Sequence, residues 1–179
     1  PAHGHSSGTL VNALLEYCSS LATLPRAGLI HRLDKDTTGL LVVAKTLQAH
    51  HRLVQQMQAR EIRRIYWAVI QGVPLVGGVI RLPIGRHPRM RTKMAVINAG
   101  RPSVTHYKVA ERFALHSLLK LKLETGRTHQ IRVHLSHQSM PIFGDALYGA
   151  RLRLPKGVDD KSREILSQFK RQALHATEL

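Results

Sequence analysis

The sequence predicts a single α+β domain with a mixed, largely antiparallel sheet and flanking helices. Three observations predict it. The chain has 179 residues and 43% hydrophobic content, enough for one sizeable core. Apolar residues recur at helical spacing in some windows and alternate residue by residue in others. These windows succeed one another without the regular strand–helix–strand order of a parallel sheet. No internal repeat or low-complexity linker interrupts the chain, so residues 1–179 are read as one domain.

The elements are assigned in order. Residues 1–7 are small and polar and are expected to be irregular. Residues 9–20 carry Leu10, Val11, Leu14, Leu15 and Cys18 at helical spacing, with Cys18 read as a core residue. Pro25 and Gly28 punctuate the segment after this helix. The apolar run 39–44 is expected to be a buried strand. Residues 47–59 read as a helix with Leu53, Val54 and Met57 on its apolar side. Residues 62–71 are rich in β-branched and aromatic side chains and read as a strand. Residues 72–78 form a turn, and Val79-Ile80 start a strand that fades at Pro83. Residues 85–93 are a basic loop without apolar periodicity. Two strands come next, 103–110 and 117–124. The second sets Leu119, Leu121 and Leu123 against Lys120, Lys122 and Glu124. Residues 129–137 are ambiguous, because Ile131, Val133 and Leu135 alternate like a strand. Residues 144–155 are loop, 159–171 a short helix, and 173–177 the start of a last strand.

Charge narrows the function. Lysine and arginine number 27 against 11 acidic residues, a net charge of +16. That exceeds what solubility needs and points to an anionic partner, most simply nucleic acid. The basic residues are spread along the chain instead of gathered in a terminal block, which argues against a membrane surface. No apolar run approaches the ~18 residues of a membrane span. One cysteine allows no intrachain disulfide, which fits a cytoplasmic protein. Twelve histidines fall into small clusters such as His3/His5, His50/His51 and His129/His134/His137. Without CxxC or HExxH patterns they predict no metal site.

The most informative stretch is Gly28-Leu-Ile-His-Arg-Leu-Asp34-Lys-Asp-Thr-Thr-Gly-Leu-Leu-Val-Val-Ala-Lys45. It sets a carboxylate, Asp34, between an apolar run and a Thr-Thr-Gly turn, with Arg32 and Lys35 beside it. Residue type alone leaves Asp34 open between a turn cap and a reactive group. Asp36 is read as a solvated turn residue. The His-Arg-Leu-Asp signature resembles the catalytic motif of the RluA-type pseudouridine synthases. Two further segments extend the resemblance: Arg63-Arg-Ile-Tyr66-Trp-Ala, and Leu123-Glu-Thr-Gly-Arg127-Thr-His-Gln-Ile-Arg132-Val-His. Met94-Ala-Val and Val104-Thr-His-Tyr107 add to it, and the likeness runs from about Gly8 to His175.

The resemblance implies the pseudouridine synthase catalytic fold, with a helix at 129–137. It implies isomerisation of uridine to pseudouridine in RNA, and its D-type character implies a stem-loop of 23S large-subunit ribosomal RNA. Family members of that type carry an additional N-terminal RNA-binding domain and a longer C-terminal end, so this chain is expected to be trimmed at both ends. The reaction breaks the N1–C1′ bond, turns the uracil and rejoins it through C5. It needs no cofactor in principle. It does need a group that engages sugar or base, a platform for the detached base, and exclusion of water.

The resemblance places Asp34 as the essential aspartate. Attack on the sugar, attack on the base and removal of a sugar proton all remain open to it. Tyr66, otherwise a plausible core aromatic, is implied to pack against the target base, while Trp67 lies on the opposite strand face and is assigned to packing. Arg132 is implied to pair with Asp34, and Arg32 to fill the space left by a flipped nucleotide. Arg127 is expected to shape a turn beside the site, and His129 and Gln130 to be structural hydrogen-bonders. Arg86, Arg89, Arg91 and Lys93 are expected to bind phosphates, as are patches at Arg60/Arg63/Arg64 and Arg151/Arg153/Lys156.

Two competing classes fit less well. A passive RNA-binding or ribosome-assembly module has no need for Asp34, Tyr66 and Arg132 together. A glycosidase usually needs two carboxylates across the bond, and the only nearby second acid in sequence is Asp36. Other ribosomal or transfer RNA sites are the alternative substrates, and a monomer is expected.

Overall fold

A computed structural model describes residues 7–179 of the chain. Most of the segment 1–7 read as irregular, and the His3/His5 pair, lie outside the described residues. In chain order the elements are helix α1 (Leu10–Tyr17), strand β1 (Thr38–Gly39), helix α2 (Leu47–Gln58), and strands β2 (Ile65–Gln71), β3 (Gly78–Arg81), β4 (Ile84–Arg86), β5 (Met94–Val96), β6 (Val104–Arg112) and β7 (His116–Leu123). Helices α3 (Gln130–His137) and α4 (Asp160–Gln168) and strand β8 (Leu174–Glu178) complete the chain. The chain divides into two compact units, one of residues 7–33 with 41–62, the other of 34–40 with 63–179.

In the first unit, α1 starts where Thr9 and Asn12 exchange reciprocal cap hydrogen bonds. Its inner face adds Val11, Leu14 and Leu15 to a small core of Leu21, Leu24 and Ala27. Cys18 packs on this core but is only half-buried, and Leu10 is exposed, so the predicted helix face is narrower than its apolar spacing suggested. Thr46 caps α2 by accepting the Ala49 N–H at 3.1 Å, and Leu53, Val54 and Met57 are half-buried as expected.

The apolar run 39–44 is not a buried strand. The Leu40 N–H goes to the Ala176 carbonyl, the Val42 N–H to His31 Nε2, and the Ala44 N–H to the Gly28 carbonyl. Because its backbone partners change every second residue, no ladder forms along the run. Thr38 and Gly39 pair with β8, Val43 makes a single isolated bridge to Leu29, and Leu40 stays exposed.

The second unit is built on a six-stranded sheet of order β1-β8-β2-β7-β6-β3. The β1/β8 pair is parallel and every other pair antiparallel, the mixed sheet that the sequence predicts. Strand β7 shows why these residues make strands. Leu119, Leu121 and Leu123 are buried while Lys122 points to solvent, and each buried leucine contributes roughly 1.5–3 kcal/mol. Tyr66, Ala68 and Ile70 of β2 are buried, with Trp67 and Val69 half-buried between them.

A second small sheet corrects the reading of 85–93 as loop. Gly85 and Arg86 belong to β4, which pairs with β5 in a hairpin, leaving 87–93 as its tip. With only three residues per strand, its period is too short to register in sequence.

The ambiguous segment 129–137 is helical. Helix α3 buries Gln130, Ile131, Arg132, Val133, His134 and Leu135 against β5 and β6. It is polar and buried at once because its polar side chains are satisfied. Gln130 donates to the Val104 carbonyl and to Thr105 Oγ1, both at 3.0 Å, and accepts from Thr125 Oγ1 and the Arg127 N–H. His134 lies between Thr105 Oγ1 at 2.9 Å and the Leu82 carbonyl at 3.0 Å. Among the described residues no helix is long and apolar enough to cross a membrane.

Candidate active site

The turn after Leu33 presents Asp34. The Thr37 N–H closes it on the Asp34 carbonyl at 3.0 Å, and Asp36 sits exposed at φ 66°, a left-handed conformation that aspartate tolerates. Buried Gln172 pins the turn by donating to the Lys35 carbonyl and to Thr37 Oγ1. Gly39 then lets β1 close on β8. Its φ is 113°, and a Cβ there would collide with the Ala176 backbone.

The first turn of α3 presents Arg132, whose Nη1 donates to Asp34 Oδ2 at 3.3 Å. The guanidinium has a second and tighter partner that the sequence reading missed. Arg132 Nε and Nη2 donate to the two carboxylate oxygens of Asp145 at 2.7 and 2.9 Å, a bidentate pair. Asp145 Oδ1 also accepts the Leu147 and Tyr148 N–H groups. Side-chain exposure is 0% for Asp145, 8% for Arg132 and 15% for Asp34. Burial works to raise the Asp145 pKa, but the hydrogen bonds and charge of Arg132 and the two backbone amides outweigh it, so the net shift is downward. For Arg132, burial works downward and the two carboxylates outweigh it, so its pKa is raised.

Asp36 is therefore not the only second acid near Asp34. Asp145 shares the Arg132 guanidinium with it, brought there by the fold from a segment read as loop. Its one local signal is the Gly144-Asp145 dipeptide at a turn, where an aspartate accepts amides two and three residues on.

Tyr66 lies buried in β2, opposite Ala176 of β8 and Leu121 of β7. Burial pushes its phenol up; the Arg64 charge opposes this and the Asp34 charge adds to it, so both groups lie within electrostatic reach of Tyr66. The structure thus pairs Asp34 with Arg132 and sets Tyr66 within electrostatic reach of Asp34.

The remaining predicted residues divide. Arg86, Arg89 and Arg91 are exposed on the β4–β5 hairpin, ordered by His87, whose Nδ1 accepts the Arg89 and Met90 N–H groups at 3.1 Å each. Lys93 is half-buried, its Nζ 5.9 Å from the Tyr148 ring centre, and that ring carries the Arg132 guanidinium at 5.0 Å. The hairpin's C-terminal side therefore reaches the site. Arg127 is half-buried, with its backbone N–H on Gln130 and its Nε lacking a hydrogen-bond partner. Arg32 is exposed and belongs to the first unit. Arg64 is not part of a surface patch. It is 9% exposed, because it precedes β2 and packs its guanidinium over Gly126, where any Cβ would strike it. His129 hydrogen-bonds Tyr148 through Nδ1 at 2.8 Å, in keeping with a structural role. Among the described residues no group of three or more His, Cys, Asp or Glu side chains is placed to hold a metal ion.

Comparison with known proteins bears on this arrangement. A family model described as RNA pseudouridylate synthase matches residues 3–137. The chain is 57% identical to ribosomal large subunit pseudouridine synthase D of Pseudomonas aeruginosa over 98% of its length and 55% of that protein's. Identity to the protein of the same name in Escherichia coli K12 is 55%, over the whole chain and 55% of that relative. The chain spans about half the length of the curated relatives it matches. Among solved structures, Human RNA Pseudouridylate Synthase Domain Containing 4 superposes with a TM-score of 0.69 at 28% identity, covering 95% of this chain and 74% of that one. Human RNA Pseudouridylate Synthase Domain Containing 1 gives 0.68 at 29%, covering 83% and 61%. Asp34, Tyr66 and Arg132 all lie in the matched segment, and with sequence and fold in agreement the chain belongs to the RNA pseudouridylate synthase family.

Proposed function

We propose that this chain carries the catalytic machinery of an RNA pseudouridine synthase. It isomerises uridine in a stem-loop of large-subunit ribosomal RNA, without a cofactor, in the cytoplasm. The observation that carries the reading is the asymmetric use of Asp34. Its Oδ2 rests on Arg132, while among the described residues Oδ1 has no hydrogen bond. One oxygen is oriented and the other is available to substrate. Arg132 fixes the orientation of that carboxylate, and it is itself held in place by Asp145.

Tyr66 supplies a flat, neutral surface on which a detached uracil turns without losing contact, since stacking is tolerant of orientation. The charge of +16 and the exposed Arg86, Arg89 and Arg91 supply sequence-independent attraction to the phosphate backbone. The buried Asp145–Arg132 pair opposes a glycosidase reading, because both Asp145 oxygens are already bonded and neither is free to act as a second acid or base.

The test is incubation of the chain with a transcript of the large-subunit stem-loops, then digestion and nucleoside chromatography. Conversion of uridine to pseudouridine at defined positions is the expected result. Tight binding with unchanged nucleosides overturns the reading in favour of a passive module. Conversion only in transfer RNA moves the substrate and keeps the chemistry.

A further inference from the structure

We propose that Tyr148 is a positioning residue that couples the basic hairpin to the Arg132–Asp34 pair; the catalytic half of this inference rests on the isomerase reading above. The side chain has two ends with different partners. At its polar end, Oη accepts the Met94 N–H at 2.7 Å and is hydrogen-bonded to His129 Nδ1 at 2.8 Å. Met94 is the first residue of β5, where the 87–93 tip rejoins the hairpin strand. At its apolar end, the ring carries the Arg132 guanidinium 5.0 Å from its centre. The backbone fixes both ends: the Tyr148 N–H donates to Asp145 Oδ1 at 3.0 Å, and Ser136 Oγ donates to the Tyr148 carbonyl at 2.9 Å.

One half-buried tyrosine therefore touches the segment that carries Arg86, Arg89 and Arg91, the guanidinium that orients Asp34, and the carboxylate that anchors that guanidinium. A ring that only filled space would need no hydroxyl bonded to β5. The hydroxyl fixes where the phosphate-binding tip ends. The ring fixes the plane of the guanidinium, through the attraction of a cation to an aromatic face.

The two ends separate by mutation. Tyr148→Phe keeps the ring and removes the bonds to Met94 and His129. Tyr148→Leu removes both ends. Each variant is compared with the parent by equilibrium binding to the stem-loop transcript at fixed salt, by single-turnover tritium release from 5-tritiated uridine, and by thermal unfolding. Tyr148→Phe is expected to bind about five- to tenfold more weakly, as the loss of hydrogen bonds to the hairpin predicts, with bound RNA reacting within about twofold of the parent rate. Tyr148→Leu is expected to lose about a further tenfold in the bound-state rate. Parent-like affinity in Tyr148→Phe overturns the coupling, whatever its melting temperature. Equal bound-state rates in the two variants overturn the role of the ring. If the parent itself releases no tritium, the isomerase reading falls. Affinity of the Phe variant then still decides whether Tyr148 positions the hairpin. If Tyr148→Leu fails to fold, the Phe affinity arm alone decides.

Discussion

Asp34 and Asp145 flank the same guanidinium, yet their surroundings are opposite. Asp145 is fully buried, takes two short bonds from Arg132 and accepts two backbone amides, so its acceptor capacity is used. Asp34 takes one longer bond, retains some exposure and has an oxygen to spare. A buried carboxylate that is fully satisfied is structure; the neighbouring one, oriented and unsaturated, is the one we propose for chemistry. Arg132 joins the two, and its rigidity toward Asp34 comes from its bond to Asp145.

This contrast orders the expected effects of mutation. Asp34→Ala is predicted to cut activity by about 10³-fold or more. The same change should alter stability by less than about 1 kcal/mol, because the Arg132–Asp145 pair survives it. Nucleoside analysis and urea unfolding of the variant measure both. A large loss of stability would erase the distinction between the two carboxylates.

Asp145→Ala should show the reverse emphasis. Removing it leaves the buried arginine only its longer bond to Asp34, and up to about 3–5 kcal/mol of stability is expected to go with it. A urea midpoint close to the parent's would refute the anchoring role. Activity should fall as well, through the loosened Arg132.

Acid separates a buried histidine from the buried carboxylate. His134 has a depressed pKa because burial disfavours its charged form. Below its unfolded value of about 6.5, the unfolded chain takes up a proton that the folded chain resists. Stability is therefore full above that pH and falls as pH drops below it. Asp145 is depressed as well, so its contribution is full above about 3.9 and is lost only as pH falls through its lower folded value. Urea midpoints between pH 8 and 3 are expected to decline in two steps. His134→Gln should shrink the upper step, to which His116, also lowered by burial, contributes the remainder, and leave the lower one; an upper step of unchanged size would assign it to His116.

The smallest effect belongs to the exposed hairpin arginines. Arg89→Ala and Arg91→Ala should leave stability unchanged and weaken RNA binding several-fold, each lowering the slope of log affinity against log salt by about one. An unchanged slope in both would remove the hairpin tip from the RNA contact surface.

Much of the fold and of the site is legible in the sequence. Strand β7 declares itself because one face is buried and one is wet, which is the condition for clean alternation. Asp34, Tyr66 and Arg132 are legible as a set because each lies inside a family-like motif. The other features depend on distant partners. The 39–44 run resembles a strand by composition, but its hydrogen bonds are divided between β8 and the 28–31 stretch. Asp145 and Tyr148 sit in a Gly-punctuated loop, and only the fold shows that this loop closes over α3. Arg64 reads as surface charge, and only the fold shows it buried against Gly126, far along the chain.

The most direct test of the role of Asp34 is tritium release from 5-tritiated uridine in large-subunit ribosomal RNA transcript, comparing the parent with Asp34→Ala. Forming the C5–C1′ bond obliges the C5 hydrogen to leave. Release by the parent and none by the variant, while RNA binding persists, is the predicted result. Equal release from both would contradict it and move the chemistry away from Asp34.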